Sequence, residues 1–181
     1  MNRVWLTTGF ALVLGLAGVA RLPAFAFGYG AAGAAAEAPP VVKAGRAEGG
    51  IRLDGVFDEP AWRDAAIIPD LTQQEPHPGE PTPYRTEVLV VVDDRNLYIG
   101  VKCFDPDPAR IAVHTMQRDG NLYGDETVAL VLDTFGDRRR GYYFEINAAG
   151  ARLDGLISGS EDVSNDWDGI WDGRTRRTPD G

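Results

Sequence analysis

Cysteine is nearly absent from this 181-residue chain. Cys103 stands alone, so no internal disulfide can close even in an oxidising compartment. Positive charge is short as well: 18 Lys and Arg face 27 Asp and Glu, for a net charge of −9. A surface of that sign repels polyanions, because nucleic-acid binding needs clustered cations that release counterions, whereas neutral sugars or cations suit the field. Helical periodicity is almost missing. No nucleophile elbow, phosphate-binding glycine loop or zinc-ligand spacing occurs, which removes the usual sequence signatures of acyl transfer, nucleotide chemistry and zinc catalysis.

The longest apolar run lies at the N-terminus. Met1-Asn2-Arg3 supplies a positive start, residues 4–20 are mostly apolar, and Ala24-Phe25-Ala26 fits the small-x-small cleavage rule, with Ala34-Ala35-Ala36 as a second site. Residues 1–26 therefore read as a secretory signal. A retained membrane anchor is the rival reading, but Arg21 and Pro23 end the run before the roughly 20 residues a spanning helix prefers. Cleavage at either site removes Arg3 and Arg21 and no acid, leaving 16 basic against 27 acidic residues, a net charge of −11. The mature chain is expected to be exported, as a periplasmic, outer-membrane-associated or secreted protein. It would touch a membrane only through the signal or a further domain. Residues 27–49 are rich in Ala, Gly and Pro without apolar periodicity and read as a flexible linker, leaving 50–181 as one domain.

From Ile51 onward, short β-branched alternating runs are separated by Gly, Pro and Asp turn signals, the pattern of an all-β antiparallel β-sandwich. The exception is a short helix at 58–66, with Asp58 as cap, Pro60 in the first turn and Trp62 turned inward. Pro76, Pro78, Pro81 and Pro83 make 73–83 a surface loop. Residues 86–92 are apolar on both faces, as in a central strand, and Asp93-Asp94-Arg95-Asn96 turns the chain into a partner at 97–104. Cys103 shares a face there with Leu97, Ile99 and Val101 and reads as a buried, inert thiol. Residues 126–133 and 141–147 form a second hairpin, 151–157 continues it, and 167–176 is expected to start another strand. The turn pattern Thr178-Pro179-Asp180-Gly181 suggests a sandwich whose final strands are not in this sequence.

Three stretches in this order resemble the family 9 carbohydrate-binding modules and their DOMON-like relatives: Ile51-Arg52-Leu53-Asp54-Gly55-Val56-Phe57-Asp58-Glu59-Pro60-Ala61-Trp62, then Asn96-Leu97-Tyr98-Ile99-Gly100-Val101, then Asp125-Glu126-Thr127-Val128-Ala129-Leu130-Val131-Leu132-Asp133. Gly141-Tyr142-Tyr143-Phe144-Glu145-Ile146-Asn147 with Gly150 and Asp154 is similar to exported bacterial proteins in which such a module precedes a larger domain. The resemblance implies a β-sandwich that grips sugar ends between aromatic rings, often with structural calcium, and that rides on a glycoside hydrolase. It implies a tryptophan and a sugar-contacting glutamate where this chain holds Tyr123 and Ala129, and a sugar-contacting arginine where it holds Glu145.

Trp167 and Trp171 are four apart, so a strand would set both rings on one face as a stacking platform for a pyranose, with Tyr123 opposite. Arg118, Asn121 and Asn165 would add hydrogen bonds. The competing reading puts one or both tryptophans in the core. Asp54, Asp58 and Glu59 gather around a glycine turn as hard oxygen ligands suited to calcium, against the alternative of a helix cap with solvated turn acids. Asp105 with Asp107, and the acids of 162–168, are weaker alternatives. His114 and Met116 could ligate haem as in DOMON relatives, but two ligands so close in sequence cannot reach opposite faces of the ring. Acid pairs such as Asp125 with Asp133 or Glu145 with Asp154 are expected by chance among 27 acids, so no catalytic residue is assigned. The expected partner is a polysaccharide or oligosaccharide, bound by a non-catalytic module of an exported protein that breaks down polysaccharide. The alternative is a structural domain beside an outer-membrane or periplasmic domain, motivated by Ala129 and Glu145.

Overall fold

The computed structural model describes residues 41–68, 71–159 and 163–181. The expected signal segment, residues 27–40 of the expected linker and Asp162 lie outside them. Among the described residues the chain forms two four-stranded sheets. The first contains β1 (Gly45–Arg46), β2 (Ala66–Ile68), β3 (Thr86–Val92) and β4 (Leu97–Cys103), with helix α1 (Pro60–Arg63) between β1 and β2. The second runs in the order β5 (Thr127–Leu132), β6 (Arg140–Asn147), β7 (Arg152–Ser158), β8 (Val163–Ser164). All neighbouring strands are antiparallel except β1 with β3. The protein is thus all-β as expected, and two such sheets are compatible with a sandwich.

β3 is the central strand because its side chains are apolar on both faces, and Val88, Leu89, Val90 and Val91 are all buried. One edge carries β2 at Val88–Val90 and β1 at Val91–Val92, and the other carries β4 along its whole length. The Asp93 carboxylate closes the β3–β4 turn by accepting the N–H groups of Arg95 and Asn96 and the Tyr98 hydroxyl. Over one face lies α1. Trp62 packs with Ala47, Leu89 and Val91, and its ring meets Phe57 edge-on at 5.2 Å.

Several expectations are corrected here. Gly45 and Arg46 belong to the sheet and Ala47 is buried, so ordered structure begins inside the segment expected to be linker. The helix is shorter than expected. Its cap position is Glu59, and Asp58 does not cap it, because the Glu59 carboxylate accepts both the Arg52 N–H and the Trp62 Nε1–H. Ala66, the last residue of the expected helix, pairs with β3 together with Ile67 and Ile68. Residues 167–176 form no strand; the fourth strand of the second sheet is β8, upstream of Trp167. Cys103 reaches the surface at the end of β4 instead of being buried. Desolvation of its sulfur, followed by the negative charge of Glu126, nonetheless raises its pKa, which keeps the thiol protonated and unreactive.

Candidate functional site

The second sheet separates its side chains into two faces. On β6, Tyr143 and Glu145 point one way while Tyr142, Phe144 and Ile146 point the other. Cross-strand register sets Ala129 and Leu153 beside Glu145, and Leu130 and Asp154 beside Phe144.

β8 pairs only with Leu156 and Ile157, so the first half of β7 has an open outer edge. The loop after Gln117 covers that edge: the Asp119 N–H donates to the Arg152 carbonyl at 2.8 Å, with Asp119 in the left-handed region at φ 56°. The Asn121 side-chain oxygen accepts the Tyr123 N–H at 2.9 Å, a turn that throws the Tyr123 side chain outward to 67% exposure while Leu122 is buried. Asp125 pins the end of this loop. It accepts the backbone N–H groups of His114 and Thr115, the Asn147 side-chain amide at 2.7 Å, and a contact of 2.8 Å from the His114 ring. Burial pushes the Asp125 pKa up, but the hydrogen bonds from Asn147, His114 and the backbone together outweigh it, and the net shift is downward.

Between this loop and the Glu145 face of β6 and β7 opens a groove of about 430 Å³, lined by Asp119, Asn121, Tyr123, Glu145, Leu153 and Asn165. The Tyr143 hydroxyl donates to Glu145 at 2.8 Å and fixes that carboxylate at the groove wall. Asn165 reaches the groove because Gly155 lets the segment after β8 come close: a Cβ there would lie 2.6 Å from the Ser164 carbonyl oxygen. Of the expected sugar-contacting residues, Tyr123, Asn121 and Asn165 line this groove.

Trp167, Trp171 and Arg118 are elsewhere. Both tryptophans are half-buried on the opposite face, where Trp167 meets Tyr142 at 4.9 Å and Phe144 at 6.0 Å, and Trp171 meets Phe144 at 5.2 Å. Both rings lie across β6, and neither residue belongs to a strand. Tyr123 does not oppose them. Arg118 turns away from the groove to Asp154 at 2.8 Å and Asp168 at 3.1 Å.

Asp119, Asp154 and Asp168 are close enough together to share a cation. The Arg118 guanidinium already supplies that positive charge, and Asp154, wholly buried, also accepts the Gly169 N–H and the Trp171 Nε1–H. The expected calcium ligands fit a metal no better. Asp54 accepts the Val56 N–H and Arg52 Nε, Asp58 lies 3.5 Å from Arg52, and both Glu59 oxygens are taken by Arg52 N–H and Trp62. An arginine stands among these carboxylates, which serve the turn and the helix. His114 and Met116 are exposed in a loop, with the His114 ring on Asp125. Glu145 and Asp154 project to opposite faces and cannot act on one bond.

Asp119, Glu145 and Leu153 were not among the expected site residues. The alternation Tyr143-x-Glu145 was visible, but only the register with β7 and the loop crossing its edge show that this face is the grooved one. Searches against protein-family models, curated proteins and solved structures find no match for the chain.

Proposed function

We propose that the chain is a non-catalytic carbohydrate-binding domain of an exported protein, and that the sugar lies in the groove between the 119–124 loop and strands β6 and β7. The observation that carries this reading is the meeting of Tyr123, Asn121 and Asn165 in one open groove. An exposed tyrosine ring offers a face for the C–H side of a pyranose, and flanking amides exchange hydrogen bonds with hydroxyls. An open groove suits an internal stretch of polymer as well as a chain end. One ring and a few polar groups predict modest affinity, since a good aromatic contact contributes about 0.5 to 1.5 kcal/mol beyond burial. Calorimetric titration with xylo- and cello-oligosaccharides tests the proposal. Binding in the micromolar to millimolar range that weakens in Tyr123→Ala supports it, and no heat at millimolar ligand rejects it.

The placement of Trp167 and Trp171 favours a second reading, a structural domain that packs beside another domain and binds no sugar. Its two most conspicuous rings are spent on covering β6. Under this reading Tyr123→Ala changes nothing that the attached polypeptide does.

A further inference from the structure

Taking the groove as a sugar site, we infer that it selects a sugar carrying a protonated amine, a 2-amino-2-deoxyhexose unit, over its neutral or acidic counterparts. Its lining residues include two acids, Asp119 and Glu145, and no Lys, Arg or His. The two acids are not equivalent. The Asp119 carboxylate is paired with Arg118 at 3.1 Å and belongs to the cluster with Asp154 and Asp168. Glu145 has no ion-pair partner among the described residues; its neighbours across the ladder are Ala129 and Leu153, neither of which can neutralise it.

Glu145 is half-buried and held by the Tyr143 hydroxyl, so its orientation is set before a ligand arrives. A fixed, partly desolvated carboxylate repels a uronate, gains little from a hydroxyl and gains most from an ammonium, which donates a charge-assisted hydrogen bond. Tyr123 on the same groove adds a ring face that attracts the same cation. The net charge of −9 steers cationic ligands toward the molecule.

The test uses three oligosaccharides sharing a β-1,4-linked pyranose backbone and differing at C2: cellohexaose, fully N-acetylated chitohexaose and the fully deacetylated glucosamine hexamer, titrated while the amine is protonated. The glucosamine hexamer is expected to bind about tenfold tighter than cellohexaose, the gain of one hydrogen bond to a charged group. Glu145→Gln, which keeps the side chain's shape, is expected to abolish that preference, so that the glucosamine hexamer and cellohexaose bind the variant equally. Equal binding of all three by the native protein overturns the amine selection and leaves the sugar site intact. A preference that persists in Glu145→Gln traces to overall charge and also overturns it. No binding of any of the three removes the sugar site itself.

Discussion

Asp154 shows how one residue organises this region. A wholly buried carboxylate must have its charge and lone pairs satisfied, and here Arg118, the Gly169 N–H and the Trp171 Nε1–H do so together, tying loop, strand and C-terminal segment to one point. Replacing Arg118 by methionine leaves Asp154 charged and under-satisfied. Because the guanidinium is partly exposed, the expected loss is on the order of 2 kcal/mol, below the 3–5 kcal/mol typical of a fully buried pair. Urea unfolding measures it, and an unchanged midpoint would show that Asp154 finds other partners. Asp125 makes a separate prediction about acid. Its folded pKa lies below the ordinary 3.8, so the stabilisation it provides is present above 3.8 and is lost as pH falls through the lower folded value. Asp54, Asp93 and Asp137 are lowered as well, and contribute with the same sign. Stability should therefore be flat near neutrality and fall below about pH 4. Asp125→Asn should flatten part of that fall in a pH series of thermal melts.

At the scale of elements, the first sheet depends on how closely α1 and its approach can lie on β3 and β4. Gly100 makes this possible: a Cβ there would stand 2.4 Å from the Phe57 ring and 3.0 Å from Trp62. Gly100→Ala should cost about 1 to 3 kcal/mol through displacement of both rings, read as a lower denaturation midpoint with reduced tryptophan burial. The β3–β4 and β5–β6 hairpins were legible because short apolar runs and Asp-rich turns agree with each other, and Pro60 and Trp62 marked α1. β2 was not legible. Ala66, Ile67 and Ile68 continue the helical segment without a break, and only the open edge of β3 recruits them. The segment 167–176 reads as a strand because two tryptophans four apart fit one, yet each ring is placed by a tertiary contact, on Tyr142 or Phe144, that no local pattern encodes. The groove was half legible for a similar reason. Tyr123, Asn121 and Asn165 stand out as exposed-loop chemistry, while Glu145 and Leu153 become groove residues only through the register of two strands and the loop that crosses them.

For the whole molecule, the consequence is that β6 divides two tasks between its faces. Tyr142 and Phe144 anchor the C-terminal segment through Trp167 and Trp171, and that segment goes on to bond Ala148 through Thr175 and Asp105 through the Asp180 carbonyl, so it ties the second sheet to the end of β4. Glu145 and Tyr143 serve the groove. The side chains that meet the two faces of this sheet should then answer to different measurements. Trp171→Ala removes a half-buried ring and one donor to Asp154, and is expected to lower stability by about 2 kcal/mol while leaving oligosaccharide affinity within twofold. Tyr123→Ala removes an exposed ring, so stability should stay within about 0.5 kcal/mol while affinity falls about tenfold. Unfolding and titration on the same two variants decide the matter. If Trp171→Ala abolishes binding at a temperature where it remains folded, the tryptophan face is the sugar surface and the groove is not.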